Sequence, residues 1–150
     1  METDYRYTEC GLQNVVIRGM QVIVDDDGDE TYCIRNVTGL HKVIAHCIIT
    51  RTHSIKPEEL RFLRTEMGLS RAELAELVKK DQQTIGRWER GETEIDQNAE
   101  YLIRTVAAER LGIDTSITLE NLARRCVPSA EFTVMEIDGT NPDHYRPLAA

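Results

Sequence analysis

Within six residues the sequence places Gln82, Gln83, Thr84 and Arg87, side chains whose polar groups match the edges of base pairs. A glutamine amide offers a donor beside an acceptor, as adenine requires. An arginine fork bonds guanine through two N–H groups, and a threonine methyl packs on that of thymine. These side chains share one face if the stretch is helical, because Ile85 and Trp88 then turn inward and leave Gln82, Gln83, Thr84, Arg87 and part of Arg90 outside. An ordinary solvated face more often mixes Glu and Lys. Arg71, Lys79 and Lys80 add positive charge nearby, and a helix N-terminus attracts phosphate.

Only a braced helix after a tight turn can present such a face to a major groove, and the flanking residues supply those elements. Pro57 opens a helix carrying Leu60, Leu63 and Met67 on one face, with Gly68 as its stop. Ser70 and Glu73 make a capping box for a second helix that buries Leu74, Leu77 and Val78. Lys79 and Lys80 form a short connection before Asp81 caps the third helix, which ends at Gly91. From Asp96 the spacing of Ala99, Leu102, Ile103, Val106 and Ala107 predicts a fourth amphipathic helix running to Gly112.

The outer segments read differently. Val15–Ile17 and Val22–Val24 are β-rich runs, with Arg18–Gln21 between them as a short hairpin or bend. An acidic turn follows at Asp25–Glu30, then a strand-like stretch at Thr31–Val37. Leu40, Val43, Ile44, Cys47 and Ile48 have the spacing of a buried helical face. Beyond the fourth helix, Thr118 caps a helix with Leu119, Leu122, Ala123 and Cys126, which Pro128 stops. Glu131–Ile137 reads as a strand that pairs with the N-terminal strands, within the chain or across a dimer, and Asp138–Ala150 as an irregular tail.

The run GLSRAELAELVKKDQQTIGRWERGE resembles the helix-turn-helix of the Cro/C1-type, or XRE, family of bacterial and phage regulators. The resemblance implies that Gln82, Gln83, Thr84 and Arg87 face bases and that Ser70 and Arg90 sit near phosphates. Gly86 stands where the family commonly has serine, so that contact does not carry over. A weaker similarity, over Y-R-Y-T-E-C-G-L-Q-N-V, a short β segment and the G-L-H helix, is to MqsA-type antitoxin regulators. Their zinc-binding members use paired C-x-x-C motifs, which this sequence lacks, so zinc does not carry over.

The expected fold is α+β, mainly α: a lambda-repressor-like helical domain at 55–112, flanked by a small α/β element at 1–54 and a helix-strand extension at 113–150. With 18 basic and 26 acidic residues the net charge is -8, which excludes indiscriminate nucleic-acid binding by bulk attraction. Few aromatics and no interleaved basic stripe argue against a single-strand or RNA binder. Cys10, Cys33, Cys47 and Cys126 are too scattered for a zinc ribbon or thioredoxin motif. His41 and His46, five apart, do not share a helical face, so His41, His46 and His53 are expected as solvated or core-edge side chains. No metal, other cofactor or enzyme chemistry is expected, since no phosphate loop, nucleophile elbow or metalloprotease motif is present. Without an apolar span or signal-peptide pattern the chain is expected in the cytoplasm, with no membrane partner.

The expected function is a sequence-specific repressor acting on double-stranded DNA. One recognition helix makes only three or four base contacts, so a homodimer on two half-sites about 34 Å apart is expected. The pairing surface is sought among the N-terminal strands, the Ala99–Ala107 helix and the strand at Glu131–Ile137. The alternative is an antitoxin that masks a toxin protein through its N-terminal segment and represses its own operon. A third reading, a redox or metal sensor, would work through Cys33 or Cys47.

Overall fold

The computed structural model describes residues 2–148, which fold as two units. The described residues up to Ile44 and from Phe132 onward form one, and Ala45–Glu131 the other.

In the first unit, Glu2–Arg6 (β1) runs antiparallel to Val15–Val24 (β2). The expected hairpin at Arg18–Gln21 does not form. Thr3 faces Met20 while Tyr5 faces Ile17, so β2 carries one residue more than β1 over this interval and passes through it as a bulge. Gly19, at φ +72°, takes the left-handed conformation that such a bulge uses. The far end of β2 pairs antiparallel with Glu30–Tyr32 (β3). The acidic turn between them is held by Asp25, whose Oδ1 accepts from the N–H groups of Asp27 and Asp29 at 3.0 and 2.8 Å.

The strand-like stretch expected to Val37 ends early. Its pairing with β2 stops at Tyr32, and after Asn36, at φ +54°, Val37–Ile49 follows as helix α1. Its Leu40, Ile44 and Ile48 are fully buried as the spacing predicts. The boundary between the two units falls inside this helix. His41 hydrogen-bonds the Tyr7 hydroxyl at 2.8 Å.

Met135–Asp138 (β4) pairs in parallel with β2, from Val15 opposite Met135 to Arg18 opposite Asp138. The strand expected from Glu131 thus joins β2 within the chain but begins late, leaving Phe132 and Val134 exposed. The tail is not irregular throughout: Arg146–Pro147 (β5) pairs antiparallel with β4, and residues 149 and 150 lie outside the described residues. Gly139 permits this return, since a Cβ there would collide with Ile17. Arg18 on β2 bridges Asp4 of β1 and Glu136 of β4, setting one cation between two anions across three strands.

The second unit holds Pro57–Glu66 (α2), Arg71–Val78 (α3), Gln82–Glu89 (α4), Gln97–Arg110 (α5) and Leu119–Arg124 (α6). Ser70, Asp81, Asp96 and Thr118 each accept from the N–H three residues on, which satisfies one of the donors left over at a helix start. Leu60, Leu63, Leu74, Ile85 and Ile103 are 0–1% exposed and form the core. Leu102 and Leu119 are exposed, contrary to their expected place. On α5 the buried stripe runs through Ala99, Ile103 and Ala107, and Leu119 opens a helix of six residues that buries only Leu122.

Between these apolar groups lies a fully buried ion pair, Glu100 with Arg104, at 3.0 Å. Arg104 Nε donates to the Ile49 carbonyl at 3.0 Å and Nη1 to that of Arg125 at 3.3 Å; Nη2 donates to the Arg51 carbonyl. Glu100 Oε2 also accepts the Ile55 N–H at 3.1 Å. One side chain of α5 therefore satisfies the end of α1, the segment leading to α2, and the end of α6.

Arg104→Met removes a buried cation whose partners then stay buried and unpaired, which costs about 3–5 kcal/mol. Urea unfolding should show that loss, while Arg124→Met, which breaks only an exposed pair with Glu120, should change stability by about 0.5 kcal/mol or less.

Candidate nucleic-acid interface

The turn that sets the third helix is short, since α3 stops on the left-handed backbone of Lys79 and α4 starts on the side-chain cap of Asp81. Ser70 Oγ accepts the Glu73 N–H at 3.1 Å and Glu73 accepts the Ser70 N–H at 3.0 Å, which is the reciprocal capping box expected for α3. Lys79 ends α3 in the left-handed conformation, at φ +61°. After Lys80, Asp81 caps α4 by accepting from the Thr84 N–H at 2.7 Å and the Thr84 hydroxyl at 2.9 Å. These bonds hold the carboxyls of Asp81 and Glu73 below their ordinary range.

The inner side of α4 is anchored by packing and charge. Ile85 and Trp88 are buried, and α4 packs on both α2 and α3. The Glu89 carboxylate, also buried, accepts from Arg64 Nε at 2.6 Å and Nη2 at 3.1 Å, and from Arg71 Nε at 3.1 Å. Arg64 donates further to the Leu69 carbonyl at 3.0 Å. A single acid on α4 thus draws together α2 and the first residue of α3.

The outer side of α4 opens into a concave surface lined by Gln82, Gln83 and Arg87 together with Arg71, Asp81, Gly86 and Arg90. Gln82, Gln83 and Arg87 are exposed, and their side-chain polar groups have no hydrogen bond or ion pair among the described residues. Three guanidiniums line this surface beside the Asp81 carboxylate; Arg71 and Arg90 are paired with Glu89 and Glu92, and Arg87 has no ion pair among the described residues. Arg90 lies over Gly86, where a Cβ would meet its Nη1 at 2.8 Å, and pairs with Glu92 at 2.9 Å. Glycine in place of the family's serine leaves room for that guanidinium.

The expected base-facing set is therefore split. Gln82, Gln83 and Arg87 lie together, while Thr84 is half-buried with its hydroxyl bonded to Asp81. Among the residues expected near phosphate, Arg71 and Arg90 line the same surface, each already paired with a carboxylate. Ser70, Lys79 and Lys80 are exposed outside it. Sequence reasoning missed Glu89 and Arg64. Their only signal is a glutamate next to the inward Trp88, on a helix whose outer face carries cations. As for the cysteines, burial pushes the Cys47 thiol up to about 11 and raises that of Cys126, so neither supplies thiolate readily at neutral pH.

Residues 60–99 match the helix-turn-helix family model. The matched span, from within α2 to the start of α5, is a helix-turn-helix module and supports a DNA-binding regulator of the Cro/C1 type. No curated protein and no solved structure matches the chain. No helix among the described residues is long and apolar enough to cross a membrane.

The lowered carboxyls of Asp81 and Glu73 contribute stability that is complete above the ordinary carboxylate range and is lost as pH falls through their lowered values. Unfolding followed by circular dichroism should show α3 and α4 losing stability below about pH 4. Asp81→Asn keeps an acceptor at the cap and should reduce that acid sensitivity.

Proposed function

We propose that the protein is a sequence-specific repressor that binds a two-fold operator as a homodimer, with α4 laid in the major groove. Gln82, Gln83, Thr84 and Arg87 read base edges, and Ser70, Arg71, Lys79, Lys80 and Arg90 hold phosphates. One observation carries this reading: the amides of Gln82 and Gln83 and the guanidinium of Arg87 stand together on one concave surface without a hydrogen bond or ion pair among the described residues. Exposed polar groups of these types lose little on leaving water if a base edge replaces it, and each good bidentate pair gives about 1–3 kcal/mol of discrimination. Thr84 takes part through its methyl, since Asp81 holds its hydroxyl. Repression is the output proposed because blocking a promoter requires no polymerase-contacting surface.

Dimerisation is supported by the unit that contains the sheet. Ile23, Val24, Phe132 and Val134 are all more than 45% exposed there, and apolar surface of this kind is what a second copy buries. The same residues favour one alternative, an antitoxin whose sheet unit masks a toxin protein while α4 represses the shared operon. A small cotranscribed protein that is toxic alone would favour it.

Selection of duplexes from a random pool by the purified protein should recover a two-fold motif. On the recovered duplex, Gln83→Ala or Arg87→Ala should cost about 1–3 kcal/mol and blur the base preference. Lys80→Ala should weaken all duplexes alike and reduce the salt slope by about one. A folded protein that recovers no motif contradicts the reading.

A further inference from the structure

At the end of α4 the backbone, an acid and a glycine together decide where one guanidinium lies. Gly91, at φ +74°, takes the left-handed conformation that closes the helix. The Glu92 N–H then donates to the Arg87 carbonyl at 2.9 Å and the Gly91 N–H to that of Trp88 at 3.2 Å, which fixes the residue after the glycine against the last turn. The Glu92 carboxylate is thereby held beside Arg90 and accepts from its Nε at 2.9 Å and its Nη2 at 3.4 Å. Helical side chains lean toward the N-terminus, and Arg90 follows that direction onto Gly86, one turn back. A Cβ on Gly86 would meet Nη1 at 2.8 Å, Cζ at 3.6 Å and Nη2 at 3.7 Å. Gly86 is accordingly buried, although its neighbours on the outer side of α4, Gln83, Arg87 and Arg90, are exposed.

The fold itself does not ask for glycine here. Gly86 lies inside a helix and has no positive φ, and in a helix interior glycine is less favourable than alanine. The three atoms nearest to the missing Cβ all belong to Arg90. We propose, resting on the reading of α4 as the helix that meets DNA, that Gly86 is a positioning residue: its bare backbone seats the Arg90 guanidinium within the outer face, where Arg90 grips one phosphate. Glu92 takes the Nε–Nη2 edge, and Nη1 makes no hydrogen bond among the described residues. The Nη1–Nη2 edge is therefore left with two parallel N–H groups, the fork that phosphate oxygens accept. Arg90 can use it without leaving Glu92.

Gly86→Ala tests this seat because the helix gains propensity and the side chain that must yield is flexible. The full chain carrying it should keep or raise the Tm. Against a duplex recovered by selection and against unrelated duplexes alike, it should bind about tenfold more weakly and lose about one from the salt slope. Arg90→Ala should show the same two losses. Gly86→Ala/Arg90→Ala should bind no more weakly than Arg90→Ala, since no guanidinium remains to displace, whereas a methyl that merely obstructs DNA would add its cost in both backgrounds. Unchanged affinity and salt slope in Gly86→Ala, while Gln83→Ala and Arg87→Ala still weaken binding, would overturn the proposal and leave the DNA reading standing. Additive losses in the double variant, or a loss confined to one base position, would overturn it as well. An unsubstituted chain that selects no duplex would remove both.

Discussion

A guanidinium without exposed surface holds the DNA-binding unit together. Arg104 spends its donors on the carbonyls of Ile49, Arg51 and Arg125 and on Glu100, so segments far apart in sequence converge on one side chain. Burying an ion pair is seldom a gain over packed hydrocarbon, but once buried it admits few alternative arrangements, because each misplaced carbonyl strands a donor. A second buried pair lies nearby in the chain, Arg51 with Glu59, and Glu59 also accepts the Lys56 N–H at 2.7 Å. The segment between α1 and α2 is therefore fixed by charge where it has little apolar surface to bury.

The same device recurs at the interface. An eight-residue helix is too short to persist in water by itself, so α4 depends on Ile85 and Trp88 for burial and on Glu89 for orientation. With its inner face committed, the outer face can leave amides and a guanidinium unpaired. The division of labour along α4 is sharp: Asp81 fixes the start and takes the Thr84 hydroxyl, Glu89 fixes the end, and Gln82, Gln83 and Arg87 stay free between them. Such a face is preorganised, since binding need not first break internal bonds of the residues that read bases. Arg71 and Arg90 differ in this respect, as each must leave or share a carboxylate to reach a phosphate.

Much of the second unit was legible in the sequence because its helices start and stop by local chemistry. Ser70 with Glu73, Asp81, Asp96, Gly68 and Gly91 act within a few residues of themselves, and spacing alone exposes them. Elsewhere the deciding partners are remote. Nothing near Glu2–Arg6 indicates that it pairs with β2, and the bulge at Gly19 exists only because β1 lies opposite. The tail looked irregular since two prolines and few apolar residues hide a short strand that needs β4. Arg104 and Glu89 were invisible for a related reason: a charged residue on a helix reads as solvated until its partners are in place. Leu102 and Leu119 show the converse, apolar side chains at helical spacing that the short α6 and the narrow stripe of α5 leave outside.

The central claim is that the outer face of α4 is the surface that meets DNA, and amide chemical shifts of the isotopically labelled full chain, titrated with a duplex recovered by selection, test it most directly. The account predicts that the largest changes fall on Lys79–Arg87 and on the neighbouring Arg71 and Arg90, with the sheet residues of β1, β2 and β4 little affected at their backbone amides. Changes centred on the sheet or on α6, with α4 silent, would contradict it.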